Sequence, residues 1–354
     1  MLIYHYAWKI PDKTCHWIRP FETLPGMPTT DLHLVVDIAA WWITAVYESG
    51  DVLRPVLFDG RARLPSGVFD DSGTWTAGRD ALTDGLRHPE SYRPDPMTLL
   101  RHGGPVEAVA AILAHVAATA DGRVGALTVI TAHAWEPPAR HRLENAAALA
   151  RLPRPRVVST AAAAAALTGA DLTMVCVSGT AWPELTLVDA RDGYRHLGTT
   201  AVRAPGVPAV DEALLRVAAT RAGTDADPDN WQVSREVEQA RAFLAVQPRA
   251  SMLLPEPHGA VELNRADLAA ATAVHLTCLA DAAKQLLADT GTDPAQVGAV
   301  VLVGEDAGQV GTALTEAALT PAVTVRDSHA LLRSAAGTRS PGRPSWRLWN
   351  RRRL

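Results

Sequence analysis

The chain has 354 residues, which is too long for one compact core and suits two lobes. Hydrophobic residues make up 47% and charged residues 20% of the chain, as in an ordinary globular protein. The formal net charge of −4 creates no overall basic field, so a specific nucleic-acid partner is not expected.

The cysteines and lysines exclude several further classes of protein. Cys15, Cys176 and Cys278 stand alone, without the spacing of a disulfide framework or a zinc site, which favours a reducing cytoplasm. No apolar run approaches the length of a membrane span, so a transmembrane protein is not expected. The chain has no lysine between Lys13 and Lys284, so none is available there to contact a phosphate group.

The N-terminal residues 1–26 show neither a helical nor an alternating hydrophobic period. They are interpreted as an N-terminal extension. Two possibilities remain open: Met27 is the true start of translation, or the extension packs on the first lobe.

The first half alternates predicted strands and helices from residue 32 onward. A turn signal at Asp71-Ser72-Gly73 joins two of the short strands. Strands are predicted at 32–37, 43–48, 52–58, 67–70, 74–77, 127–131 and 156–159, and helices at 105–119, 137–151 and 161–168.

The second half repeats this alternation. Asn264 is a good N-cap for the longest helix, and a proline-containing turn at 255–259 separates two short strands. Strands are predicted at 172–177, 185–190, 194–200, 297–303 and 323–326, and helices at 210–221, 234–245, 265–290, 310–319 and 328–335. Strands that alternate with helices in two matching halves predict an α/β architecture with right-handed crossovers.

A duplicated hairpin is the most informative pattern. The first copy runs from L-V-V-D-I-A-A-W-W at residue 34 to a Ser-Gly-Asp turn, and the second from M-V-C-V-S-G-T-A-W at residue 174 to an Asp-Gly turn. Such a duplicated strand–turn–strand unit is typical of actin-like ATPases, in which the two turns hold a nucleotide's phosphates from opposite lobes.

The two hairpins resemble the D-L-G-T-T and D-L-G-G-G-T-F-D loops of DnaK-type heat-shock-70 chaperones. Other stretches resemble the same family in the same order, at 54–68, 76–81, 130–142, 238–241 and 303–304. The resemblance covers roughly residues 32 to 337, and no segment resembles the family's peptide-binding domain. It implies an actin-like ATPase fold of two lobes, each with a mixed sheet flanked by helices, and ATP or ADP as the ligand.

The same resemblance implies a domain organisation and a set of site residues. Lobe I spans 27–170, lobe II spans 171–327, a final helix at 328–337 returns to lobe I, and a basic tail occupies 338–354. Asp37 matches the position that holds magnesium-bound water. The implied nucleotide-binding residues are Asp37, Gly179, Thr180, Gly206, Glu238, Arg241 and Gly304.

Each of these residues also has a structural interpretation. Asp37 could be a turn or cap residue, and Glu238 with Arg241 could form a surface ion pair. The glycines could serve tight turns at strand ends. The bulky side chains near the two loops, Trp41, Trp42 and Trp182, could fill the cleft or stack on an adenine.

Departures from the family pattern affect catalysis most. Ala39, Ala40 and Trp41 replace the glycine and threonines of the first loop, Val177 replaces an aspartate, and Thr160 replaces the catalytic carboxylate. Hydrolysis requires charge stabilisation around the phosphates by metal, lysine and backbone N–H groups. The sequence therefore predicts a pseudo-ATPase without assigned catalytic residues, and it argues against a normal magnesium site.

The C-terminal segment 328–354 has no acidic residue, seven arginines and two tryptophans, Trp346 and Trp349. It is interpreted either as a solvated, disordered tail or as an arm for an anionic surface. Three hypotheses follow: a degenerate ATP-binding scaffold or sensor, an active chaperone-like ATPase with altered loops, and an interaction protein tethered by the tail. The protein partner is unknown.

Overall fold

The computed structural model describes residues 31–39, 42–49, 52–120, 122–131, 135–177, 183–202, 207–224, 230–304, 314, 322–325 and 328–337. Within these residues the chain is a mixed α/β protein with sixteen strands and nine α-helices. No helix of this described part is long and apolar enough to cross a membrane.

The first half contains nine strands and five helices. In chain order they are β1 (Leu32–Ile38), β2 (Trp42–Ser49), β3 (Val52–Pro55), β4 (Leu64–Pro65), β5 (Val68–Asp71), β6 (Thr74–Ala77), α1 (Arg79–Arg87), β7 (Tyr92–Arg93), α2 (Pro96–Arg101), α3 (Val106–Thr119), β8 (Val124–Thr131), α4 (Pro137–Leu149), β9 (Arg156–Ser159) and α5 (Thr160–Ala165).

The second half contains seven strands and four helices in its described residues. In chain order they are β10 (Leu172–Val177), β11 (Glu184–Asp189), β12 (Arg195–Ala201), α6 (Val207–Ala222), α7 (Trp231–Val246), β13 (Arg249–Leu254), β14 (Gly259–Asn264), α8 (Arg265–Asp289), β15 (Ala299–Val303), β16 (Ala322–Val325) and α9 (Ser328–Gly337).

The two large sheets have the same strand order. The first is β3-β2-β1-β8-β9, with β4 added to β2, and the second is β12-β11-β10-β15-β16. In each sheet an antiparallel hairpin supplies the central strand, a second strand pairs parallel to it, and a third pairs parallel to the second. The duplication read in the sequence is therefore a duplication of sheet topology.

Each sheet is covered on one face by its own helices and shares a core on the other. Helices α3 and α4 cover the first sheet, and α8 covers the second. The shared core joins Val35 of β1 and Val175 of β10 to residues of α5 and α9, such as Leu331. These strands are apolar on both faces because helices pack against both, as is general for parallel strands of α/β proteins.

Two small units extend from the large sheets. The first small unit comprises β5, β6, β7 and α1, and its sheet has the order β6-β5-β7. The second small unit comprises α6, α7 and the β13–β14 hairpin, which enclose a core of their own. Asn264 ends this hairpin and caps α8 through a capping box with Asp267, which confirms the predicted cap.

Most predicted elements are confirmed, and the differences have local causes. Helices α1 and α2 are not predicted, because α1 is short and buries only Ala81 and Gly85, and α2 has six residues. Strand β3 ends at Pro55, earlier than predicted, and β4 pairs with the first residues of β2 instead. The N-terminal extension, the basic tail and the helix predicted at 310–319, apart from residue 314, lie outside the described residues.

Candidate functional site

The candidate site lies where the parallel strands of the two large sheets end. In α/β proteins, ligands bind outside the carboxyl ends of such strands. In the first sheet these ends are Asp37-Ile38 of β1, Thr131 of β8 and Ser159 of β9. In the second sheet they are Val177 of β10 and Val303 of β15. Each hairpin thus has residues at the carboxyl end of the central strand of its own sheet.

Asp37 lies one residue before the end of β1 and is paired with Thr44 and Ile130 of the flanking strands. Strand alternation places its side chain on the same face as Val35, which belongs to the shared core. The residue keeps partial solvent exposure, and desolvation by burial raises the pKa of its carboxyl from 3.8 to about 7. Near neutral pH the carboxyl is therefore partly protonated, and a bound cation would have to displace that proton.

Among the described residues, no group of three or more His, Cys, Asp or Glu side chains is arranged to hold a metal ion. Magnesium prefers oxygen ligands and binds through one or two carboxylates together with substrate phosphates. Asp37 alone could contribute one such oxygen ligand, as the resemblance implies, and this role remains a prediction.

A second carboxylate near the same edge was missed in the sequence. Glu184 is the first residue of β11, pairs with Val177 and is only 6% exposed. Its Oε1 accepts a hydrogen bond from the Thr186 hydroxyl at 3.2 Å. The available signal was its position directly after the second hairpin turn. Asp37 and Glu184 are thus at least partly buried carboxylates that flank the β1–β2 and β10–β11 turns.

Thr160, which stands at the expected position of the catalytic carboxylate, is used structurally. It is the first residue of α5, it is buried, and its hydroxyl donates to the Thr131 carbonyl oxygen at 3.1 Å. A threonine hydroxyl cannot act as a general base with a pKa near neutrality. Val177, at the expected position of an aspartate, is 5% exposed and packs in the shared core.

A hydrogen bond between Ser159 and His196 joins the two large sheets. The Ser159 Oγ lies 2.9 Å from the His196 Nε2 and also accepts from the Ala162 N–H, which caps α5. Burial lowers the pKa of His196, and the nearby charge of Glu184 acts in the opposite direction. A neutral His196 can accept a hydrogen bond from the Ser159 hydroxyl, and this contact fixes the end of β9 against β12.

Arg241 lies in α7 and is buried, with a side chain that is 4% exposed. Its Nε donates to the Asp211 Oδ1 of α6 at 2.7 Å. The guanidinium lies inside the second small unit, so Arg241 is not at the surface, whereas an ion pair between Glu238 and Arg241 stays a prediction. Glu238 lies one turn earlier in α7 and is half-buried. Sequence reasoning assigned no role to Asp211, and the ribose or base contacts of Glu238 and Arg241 stay predictions.

The remaining predicted site residues are glycines and a threonine. Gly304 directly follows β15 with a φ of 132°, a backbone conformation that favours glycine, so its structural interpretation is supported. Gly179, Thr180 and Gly206 lie outside the described residues. The same holds for Trp41 and Trp182, whereas Trp42 begins β2 and is half-buried.

Comparison with known proteins assigns no family to the chain. No protein-family model matches the chain, and no curated protein does so either.

Proposed function

We propose that the chain is a heat-shock-70-like nucleotide-binding-domain protein with an actin-like, two-lobe fold. In this proposal it is a degenerate ATP-binding scaffold or sensor with weak or no hydrolysis. The observation that carries the proposal is the identical strand order of the two large sheets, each with a hairpin at its centre. A nucleotide would bind between the hairpin turns, as the resemblance implies, with its adenosine near Glu238, Arg241 and Gly304.

We expect weak or no hydrolysis because uncharged residues stand where the family has charged ones. Thr160 is hydrogen-bonded to the Thr131 carbonyl, and Val177 packs in the shared core. No lysine is available between Lys13 and Lys284. Loss of one charge-stabilising donor typically lowers the rate by about a hundredfold or more, so joint losses would abolish normal turnover.

Phosphate release from ATP is therefore expected to be no faster for the native protein than for an Asp37→Ala variant. The measurement is steady-state phosphate release with magnesium, at matched protein concentrations and with the same purification. A clear rate in the native protein that the Asp37→Ala substitution removes would contradict the pseudo-ATPase proposal.

Adenosine, ADP and ATP are expected to bind with similar, weak affinity that changes little with magnesium. The reason is that Trp41 occupies the position of a phosphate-contacting residue, so the γ-phosphate gains no partner that would favour it. Calorimetric titration of the three ligands, each with and without magnesium, measures this directly. A preference for ATP over adenosine of about tenfold or more, dependent on magnesium, would show a working phosphate site.

A second candidate function, an active ATPase with altered loops, is supported by Glu184. This carboxylate and Asp37 are the kind of oxygen ligands that magnesium uses, and one belongs to each hairpin. The same phosphate-release assay on a Glu184→Gln variant separates the candidates. An active enzyme would lose its rate with either substitution, whereas the degenerate protein has no rate to lose.

A further inference from the structure

An aromatic contact joins the two small units, which belong to opposite halves of the chain. The rings of Tyr92 in β7 and Trp231 in α7 have centroids 4.6 Å apart and planes inclined by 38°. The separation of the ring centroids lies within the range in which aromatic pairs attract each other. The cores of the two small units are otherwise separate, because the first is continuous with the core of the first large sheet and the second is enclosed by its own elements.

Tyr92 is held rigidly in the first small unit. Its ring lies over Gly67 and Gly85, and a Cβ added to these glycines would lie 2.0 Å and 2.5 Å from the nearest ring or hydroxyl atom. Any side chain at either position would displace the ring. Tyr92 is 7% exposed in the folded protein, and its contacts with these two glycines are independent of Trp231.

The backbone of Trp231 is held at the capped start of a helix in the second small unit. It is the first residue of α7, whose N-cap Asn230 accepts a hydrogen bond from the Gln232 N–H at 2.9 Å. The positive charge of Arg235, one turn later, opposes the rise that burial causes in the pKa of Tyr92. The phenol therefore lies beside the first turn of α7.

The indole N–H of Trp231 weakens the contact. Its Nε1 is buried and has no hydrogen-bond acceptor in the described part of the chain. A buried donor without an acceptor is unfavourable, and separation of the small units would expose this N–H to water. Attraction between the two rings thus favours the contact, and the unsatisfied N–H opposes it.

We propose that Tyr92 and Trp231 form an aromatic clasp that holds the two small units together without any bound nucleotide. Closure by nucleotide needs groups that bind the phosphates, several of which are replaced in this chain. The clasp supplies a closing contact that depends on neither phosphate nor magnesium. Its consequence for nucleotide access depends on the proposed function, whereas the clasp itself depends only on the contact between the small units.

The test measures the separation of the small units in nucleotide-free protein. Spin labels are attached to cysteines substituted for Asp71 and His258, which are exposed in the turns of the two small units. Cys15 and Cys278 are replaced by serine, and Cys176 is buried. Pulsed electron paramagnetic resonance then gives the distribution of distances between the labels.

The native protein is expected to give one narrow distance distribution. Trp231→Ala is expected to raise the population of longer distances about tenfold, the size that loss of an aromatic pair predicts. Trp231→Phe keeps a ring and removes the unsatisfied N–H, so it should retain the narrow distribution. Tyr92→Ala should act like Trp231→Ala, provided that circular dichroism shows a folded protein.

Phe243→Ala is the matched control, because it removes an exposed aromatic side chain from the same helix, and it should leave the distribution unchanged. The clasp is refuted if Trp231→Ala retains the native distribution, or if Phe243→Ala broadens it as much. It is also refuted if Trp231→Phe opens the protein as fully as Trp231→Ala. All of these measurements omit nucleotide, so their failure is distinct from a failure of the calorimetric titration.

Discussion

Replacing Arg241 by alanine is expected to lower the free energy of unfolding by about 3 kcal/mol, at the lower end of the range for breaking a buried ion pair. The guanidinium is buried, while the Asp211 side chain keeps 24% exposure, so water reduces part of the loss. The Asp211 carboxylate would lose a charged donor at 2.7 Å. Urea unfolding of both proteins at the same pH measures the difference.

Two further variants make this prediction specific. Arg241→Met combined with Asp211→Leu removes both charges and should recover more than half of the loss, because apolar replacements of similar volume are tolerated. Arg216→Ala breaks an exposed ion pair with Glu212 in α6 and should change stability by less than about 0.5 kcal/mol. A loss below about 1 kcal/mol for Arg241→Ala would contradict the buried pair.

Replacing Asp37 by asparagine is expected to stabilise the protein above pH 7 and to have little effect below pH 4. The pKa of Asp37 is raised from 3.8 to about 7 by burial, so the folded state holds its proton more tightly than the unfolded chain does. The native protein therefore loses stability as the pH rises between these values, and the ionised carboxylate keeps the folded state less stable at higher pH. Asparagine does not titrate and avoids this loss.

At pH 8 the Asp37→Asn substitution is expected to raise the free energy of unfolding by about 2 kcal/mol. This is half of what the full shift in the pKa of Asp37 would give, because Asp37 retains some contact with solvent. Urea unfolding of both proteins from pH 4 to pH 8 tests it. Thr44→Val alters the cross-strand neighbour of Asp37 without removing a titrating group, so its effect should not vary with pH. If the difference in free energy of unfolding between the native and Asp37→Asn proteins does not vary with pH, burial does not perturb the pKa of this carboxyl.

Asp37 and Glu184 show which part of the candidate site could be predicted from the sequence. Asp37 could be placed at the end of a buried strand because the preceding apolar run is local. Glu184 carried no comparable signal, since its burial comes from the pairing of β11 with β10 and β12 on either side. Burial of a polar residue is set by neighbours from distant parts of the chain, which a local pattern does not encode.

The sequence alone determined the α/β alternation, the two hairpins and the cap at Asn264, because periodicity, turn residues and capping act over a few neighbouring positions. It also determined the absence of a central lysine. The tertiary structure alone decided the partner of Arg241, which is 30 positions away, and the meeting of Tyr92 with Trp231. Those contacts join separately packed elements, so their geometry exists only once helices and sheets have assembled around the shared core.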